Sequence, residues 1–437
     1  MTTFFLETYG CTANTSAAEL MSYLLLEAGF EKSTSIANAD LLIINTCIVK
    51  APTENKIKYQ LEQLAKLDKP LIVTSCLSQV MNNWCQEKIP QASLLGVDHF
   101  KDILLAAEKA LEGERIELLT RESYFPKESH RNRFNHLTGI IELSKGCLGK
   151  CTYCIVKEAK GKLVSKTEQQ ILKEVETALA EGCKELWLTA QDIASYGLDI
   201  NKSLLELLKK IINYPQDFMI RLGMMTPNKA FSIIDDLVEV YSSNKVYSFA
   251  HLPVQSGSDL VLKQMKRQYT IEEFKEVITK LKKENAMSFS TDIIAGFPGE
   301  RRKDHELTKS LLKEIKFDIV NISKYGDRPG TIASRSKNKI PTQIIKKRSK
   351  EISRLVAQIT KKRNKQYIGW KGEGLALAHE EKERNTLLRT PAYKLVAIPE
   401  ILPLGKKYKL IVTGATKTRL MAEHLLETPV KTVKESV

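Results

Sequence analysis

Short apolar runs alternate with amphipathic helical stretches along most of this chain, and that alternation constrains the fold more than any other feature. Over 1–115 the order is strand Thr3–Thr8, a helix near Ser16–Ala28, strand Leu41–Asn45, a helix near Glu54–Leu67 and strand Leu71–Thr74. This β-α-β-α-β order predicts an α/β unit, a parallel sheet with covering helices. A second series lies within 133–363: Gly139–Leu143, Glu185–Thr189, Phe218–Leu222, Val246–His251, Ser288–Ile294 and Asp318–Ile322. About six such units predict a partial or complete parallel (β/α) TIM-like barrel, with functional residues on the loops after its strands. Over 364–427 the pattern changes. Trp370–His379, Thr390–Ile398 and Lys406–Gly414 read as antiparallel strands of a small β-barrel, a form that often binds nucleic acid.

The 437 residues exceed one ordinary core, and 43% hydrophobic with 27% charged content excludes disorder on a large scale. No uncharged run reaches the roughly 18–20 residues that span a bilayer. Met1–Gly10 lacks a basic stretch before an apolar run, and Glu7 interrupts it, so a cytoplasmic protein with no membrane partner is expected. That compartment keeps thiols reduced, so the eight cysteines point to metal or redox chemistry rather than a disulfide framework.

Three cysteines each follow a predicted strand: Cys11 in Tyr9-Gly-Cys-Thr-Ala-Asn14, Cys47 in Asn45-Thr-Cys47 and Cys76 in Thr74-Ser-Cys-Leu77. The carboxyl ends of parallel strands share one edge, so these thiols can converge there to ligate a metal or cluster. For any one of them the alternative is a small buried hydrophobe. Cys85 and Cys183 have no such setting and read as structural.

Gly146-Cys-Leu-Gly-Lys-Cys-Thr-Tyr-Cys154 places Cys147, Cys151 and Cys154 within eight residues. A closed zinc site wants four ligands, and no fourth is evident nearby. Three thiolates on a four-iron cluster leave one iron open, and in the radical use of S-adenosylmethionine (SAM) that iron holds the methionine amino and carboxylate groups. Zinc is the competing occupant. Tyr153 is placed either to set an aromatic face beside the adenine of SAM or to pack.

The net charge of +15 is concentrated. Residues 335–371 hold thirteen Lys or Arg against one acid, Glu351, a surplus of +12. Ile344, Ile345, Ile352, Leu355, Val356 and Ile359 supply an apolar stripe for a solvated helix. The competing reading is a nucleic acid along the segment, bound through counterion release from its phosphates.

The six cysteines together resemble the pattern of the radical-SAM methylthiotransferases, and the similarity runs across nearly the whole chain. The resemblance implies an amino-terminal domain whose Cys11, Cys47 and Cys76 hold one [4Fe–4S] cluster. It implies a radical-SAM barrel whose Cys147, Cys151 and Cys154 hold a second, and a carboxy-terminal TRAM barrel that binds RNA. Leu188-Thr-Ala-Gln-Asp-Ile-Ala-Ser-Tyr-Gly197, Arg221-Leu-Gly-Met-Met225, Thr291-Asp-Ile-Ile-Ala-Gly-Phe-Pro-Gly-Glu300 and Arg328-Pro-Gly-Thr331 also look like the family. On that basis Gln191, Asp192, Ser256 and Asp292 are expected to line the SAM or substrate pocket, with capping or turn duty as the alternative for each.

The implied reaction has two halves. The second cluster cleaves SAM to a radical that takes hydrogen from a substrate C–H, and the first carries sulfur that a second SAM methylates. A sulfur donor and an electron donor are implied as partners. His251-Leu-Pro-Val-Gln-Ser-Gly-Ser258 is similar to the tRNA branches. Ala190-Gln-Asp-Ile-Ala-Ser-Tyr-Gly197 and Arg221-Leu-Gly-Met-Met225 are similar to the archaeal and eukaryotic branch acting on N6-threonylcarbamoyladenosine at position 37, in the tRNA anticodon loop. The alternatives are isopentenyladenosine in tRNA, a ribosomal protein side chain, or a non-catalytic zinc-stabilised RNA-binding module. Ser75 stands where relatives usually have Gly, and Asp327 and Ile332 replace common prolines.

Overall fold

The amino-terminal runs pair in one six-stranded parallel sheet, in the order Glu31–Lys32, Thr3–Thr8, Leu41–Thr46, Leu71–Ser75, Ser93–Leu95, Glu117–Leu118. The structure, a computed structural model, describes residues 1–49, 51–121, 125–284 and 287–425. Leu41–Thr46 is buried along its whole length, as a central strand covered on both faces must be. Its alternate side chains go to opposite layers. Leu41 and Ile43 pack under the helices Thr12–Glu27 and Ile103–Leu111, while Leu42 and Ile44 pack under Ala51–Leu64 and Asn82–Lys88. The strand order turns back at Thr3–Thr8, and in open α/β sheets the crevice at such a reversal, beyond the carboxyl ends, is where ligands bind.

The second series forms two three-stranded parallel sheets, Thr138–Glu142, Glu185–Thr189, Met219–Leu222 and then Phe249–His251, Ser288–Ala295, Ile319–Lys324. Parallel bridges Ile220 to Val246 and Met224 to His251 join them into one curved wall, a partial barrel. Its strands and helices share one continuous core that includes Leu188, Leu222, Phe274, Phe289 and Phe317.

The last segment is a closed barrel in the order Lys371–Glu380, Asn385–Arg389, Leu395–Ile398, Leu420–His424, Lys407–Ala415. The expected strand Thr390–Ile398 is corrected here: Tyr393 turns to a φ of 59°, and the Thr390 N–H donates to Lys394 O at 3.1 Å, closing a hairpin. Leu420–His424 is a strand the alternation did not reveal. Positions 426 and 427 of the expected 364–427 barrel lie outside the described residues.

Helix Thr342–Lys365 carries the basic segment. Ile345 and Ile352 are buried and Leu355, Val356 and Ile359 partly so, whereas Ile344 is 41% exposed and leaves the expected stripe. Two of the cations are internal. Arg348 pairs with Glu300 at 2.6 Å and Arg363 with Asp318 at 2.8 Å. Lys346, Lys347, Lys350, Arg354, Lys361, Lys362 and Lys365 face solvent.

Charged contacts fix the three units against one another. Asp318 accepts from Arg363 of the basic helix and, at 2.5 Å, from Lys394 of the small barrel. Lys145 reaches Asp98 at 2.5 Å, and Arg328 pairs with Glu54 while donating to Val49 O at 3.0 Å. The small barrel also plugs the floor of the large one, where the Tyr393 ring lies 4.9 Å from Tyr247 and 4.7 Å from Phe249. No helix among the described residues is long and apolar enough to cross a membrane.

Candidate active site

Cys11, Cys47 and Cys76 follow three neighbouring strands of the amino-terminal sheet and meet at its carboxyl edge. Cys11 caps the helix Thr12–Glu27, and Cys76 opens the helix Cys76–Val80. Gly10, at a φ of 116°, makes the approach possible, since a Cβ there would lie 2.8 Å from Cys47 Cβ and 3.0 Å from Cys47 Sγ. Asn14, 1% exposed, ties the three loops together: its Nδ2 donates to Tyr9 O at 2.9 Å and Thr46 O at 2.8 Å, and its Oδ1 accepts from Ser75 Oγ at 3.3 Å. Ser75 has a φ of 80°, a left-handed conformation that explains why glycine suits this position in relatives.

Cys147, Cys151 and Cys154 lie on the loop after the barrel's first strand. Gly146, at a φ of 74°, permits the turn, because a Cβ would sit 1.8 Å from Lys162 O. The Gly149 N–H donates to Cys147 Sγ at 3.2 Å, and Arg267 donates to Cys151 Sγ at 3.4 Å and to Pro253 O at 2.8 Å. Thr152 locks the loop to the barrel by donating from its N–H to Met265 O at 3.1 Å.

All six cysteines line one cavity of about 1060 Å³. Burial pushes the Cys47 and Cys154 thiols up to about 11, so neither is an activated nucleophile and a bound metal must displace a proton. A tetrahedral zinc ion with Zn–S near 2.3 Å would hold its sulfurs about 3.8 Å apart. Among the described residues, the one trio of His, Cys, Asp or Glu ligand atoms mutually within 4.8 Å is His305, Glu306 and Glu351, so neither cysteine trio closes to zinc spacing. That trio is occupied by ion pairs: Lys309 and Arg302 contact both carboxylates.

Tyr153, Gln191, Asp192 and Asp292 also line the cavity. Tyr153 packs edge-on against Phe297, ring centroids 6.3 Å apart, so it both packs and borders the cavity. Gln191 Oε1 is buried with no hydrogen-bond partner in the structure, which leaves an acceptor for a ligand. Asp192 accepts from Thr226 N–H at 3.0 Å, Thr226 Oγ1 at 2.6 Å and Ser195 Oγ at 3.0 Å, so it braces the loop after Glu185–Thr189. Asp292 shares a hydrogen bond of 2.9 Å with His251 Nε2. Ser256 departs from expectation. It is 1% exposed, lies outside the cavity lining, and its Oγ accepts from the Ser258 N–H at 3.2 Å, a turn role. Cys85 and Cys183 are buried away from the cavity, the latter donating to His136 O at 3.4 Å.

Sequence reasoning does not single out Asn14, Arg267 or Lys160, all of which touch or border the cysteine loops. Asn14 left little signal, since it is one of several buried polar residues on that helix, with Ser16, Glu19 and Ser22. Arg267 left none, since its partner Cys151 is 116 residues away.

The chain matches the radical SAM superfamily over residues 141–312 and the uncharacterized protein family UPF0004 over residues 3–96. A probable threonylcarbamoyladenosine tRNA methylthiotransferase from Pyrococcus horikoshii is 36% identical over 97% of this chain and 99% of its own length. The mouse threonylcarbamoyladenosine tRNA methylthiotransferase is 30% identical over 98% of this chain and 75% of its own. Among solved structures, the radical S-adenosylmethionine methyltransferase TsrM from Kitasatospora setae shares the fold with a TM-score of 0.55 at 14% identity, over 76% of this chain and 75% of that one. With full-length similarity and both cysteine trios in place, the chain belongs to the threonylcarbamoyladenosine tRNA methylthiotransferase family of radical SAM enzymes.

Proposed function

We propose that this chain converts N6-threonylcarbamoyladenosine at position 37 of tRNA to its 2-methylthio derivative. The observation that carries this reading is that both cysteine trios open into one cavity, so a group held at either can reach the same substrate atom. Each trio offers three thiols at more than zinc spacing, a donor set that fits a four-iron cluster with one iron left for a ligand. When bound there, two such clusters and SAM supply the radical that removes hydrogen from the purine, the sulfur, and the methyl group.

The chain's own residues orient and enclose. Arg267 fixes the Cys151 sulfur from a side that burial shields from water. Gln191 presents a carbonyl oxygen to a ligand amino group, and Tyr153 forms a flat wall beside the Cys147 trio. The exposed lysines of helix Thr342–Lys365 grip phosphates of the anticodon stem and loop while the cavity takes the extruded base. The test is mass spectrometry of nucleosides from tRNA of cells with and without the chain. The 2-methylthio nucleoside should disappear on deletion while its unmodified precursor accumulates, and an unchanged profile overturns the reading.

A further inference from the structure

The motif Arg328-Pro-Gly-Thr331 follows the last barrel strand, Ile319–Lys324, and no step of the proposed reaction uses it. Pro329 and Gly330 are exposed, yet Arg328 and Thr331 are buried, at 7% and 6% exposure. A closed turn accounts for the contrast. Arg328 O accepts from the Thr331 N–H at 3.1 Å and from Thr331 Oγ1 at 2.8 Å, while Gly330 takes a φ of 86°. Thr331 O in turn accepts from Ser334 Oγ at 2.7 Å. The segment 328–333 is tied to itself, so its two ends hold a set spacing.

Each end is fastened to a loop that carries cysteines. The Arg328 guanidinium crosses to the amino-terminal domain, where Nη2 donates to Val49 O at 3.0 Å, two residues after Cys47, and Nη1 pairs with Glu54 of helix Ala51–Leu64. Glu54 is itself buried, at 8% exposure, and also meets Lys58 at 2.8 Å. At the other end the Ala333 N–H donates to Thr152 O at 2.8 Å, between Cys151 and Cys154. Arg328, Val49 and Cys47 line the cavity that both trios share. A guanidinium presents donors on two sides and so meets a carboxylate and a carbonyl together, which a single ammonium point does not.

We infer that Arg328 is a positioning residue that, through the turn 328–333, sets the Cys47 loop against the Cys147 loop and keeps the two halves of the reaction in register. The inference rests on the proposed function for there being two halves, and adds the device that aligns them. The Lys145–Asp98 pair also joins the domains, but Asp98 follows Ser93–Leu95, a strand that leads to no cysteine.

The test starts from the metal-free full chain and N-ethylmaleimide, with alkylation of each cysteine followed by peptide mass spectrometry. Cys47 and Cys76 are buried alike, at 5% exposure, and Arg328 touches only the loop of the former. Arg328→Met should raise the Cys47 rate about tenfold, the scale of one charge-assisted hydrogen bond, and leave the Cys76 rate at the parent value. That variant strands the buried Glu54 carboxylate, so Arg328→Met combined with Glu54→Gln removes the charge while still leaving Val49 O unheld, and should show the same selective rise. Arg328→Lys, which keeps the pair with Glu54 without the fork to Val49 O, should fall between. After anaerobic reconstitution the double variant should keep the parent iron content and SAM cleavage, while methylthiolated nucleoside formed per 5′-deoxyadenosine falls about ten- to a hundredfold. Equal rises at Cys47 and Cys76 overturn the inference, because Arg328 then only stabilises the domain. A parent ratio of product to 5′-deoxyadenosine, or loss of iron in the double variant, overturns it as well. A parent protein that forms no methylthiolated nucleoside refutes the proposed function, and the alkylation rates then still decide whether Arg328 sets the Cys47 loop.

Discussion

Replacing Gly10 with alanine should separate the two halves of the chemistry. The new Cβ would lie 2.8 Å from Cys47 Cβ and 3.0 Å from both Cys47 Sγ and Asn14 Nδ2. Carbon atoms prefer about 3.5–4.0 Å, so the Cys11 loop must retreat by roughly 0.7–1.2 Å. A side chain at a φ of 116° adds backbone strain. Strain of about 1–3 kcal/mol and overpacking of about 1–3 kcal/mol give a loss of about 2–6 kcal/mol in the amino-terminal domain. A metal site tolerates displacements of only about 0.2 Å, so the retreat should cost the cluster before it costs the fold. Iron after anaerobic reconstitution should drop from about eight to about four per chain. SAM cleavage to 5′-deoxyadenosine should persist, because the Cys147 loop is untouched, while methylthiolated product vanishes. A Gly10→Ala protein with parent iron content and parent product yield would refute the close-approach argument.

The remaining predictions are narrower. Ser75→Gly relieves a φ of 80° and should raise stability by about 0.5–1.5 kcal/mol in denaturant unfolding of the amino-terminal domain, and a loss would show that the Asn14 contact outweighs the strain. Burial pushes the Asp304 carboxyl up, but hydrogen bonds from Arg301 and Ser258 override this and hold it at about 2, below the ordinary 3.8. A depressed folded pKa contributes stability that is full above about pH 5 and fades as pH falls toward 2, so the gap between parent and Asp304→Asn in chemical denaturation should close over that window, and a pH-independent gap would contradict it. Replacing Lys346, Lys347 and Lys350 together with alanine should weaken tRNA binding and flatten the slope of log affinity against log salt by about two to three, measured by filter binding, whereas an unchanged slope would remove this helix from the RNA contact.

What the sequence made legible was the part written in local grammar. Strand-then-cysteine placed Cys11, Cys47 and Cys76 at one edge because a parallel sheet leaves no other arrangement for strand ends. The Cys147 loop was legible from spacing alone. Within Thr390–Ile398, Thr390, Tyr393 and Val396 favour a strand while Pro391 argues for a break, and the backbone turn at Tyr393 shows that two strands meet there. Ser256 sits in a motif that borders the cavity, but which way one serine points inside a turn depends on φ and ψ rather than on composition. Arg267 was out of reach for a different reason: its partner Cys151 lies 116 residues away.

The plug at the barrel floor bears on how the enzyme can be dissected. Arg221 lines the cavity, and its guanidinium lies 5.3 Å from the Trp187 ring, 5.8 Å from Phe249 and 5.7 Å from Tyr393. Tyr393 comes from the small barrel, so that barrel is part of the wall of the reaction chamber as well as a candidate RNA-binding module. Cutting the chain after helix Thr342–Lys365 would unstack Arg221 and let water in beneath the reacting groups. Truncation there would therefore open the chamber as well as remove the small barrel. The same contact holds the small barrel at a set position, so an RNA bound to its outer surface would lie at a fixed offset from the chamber.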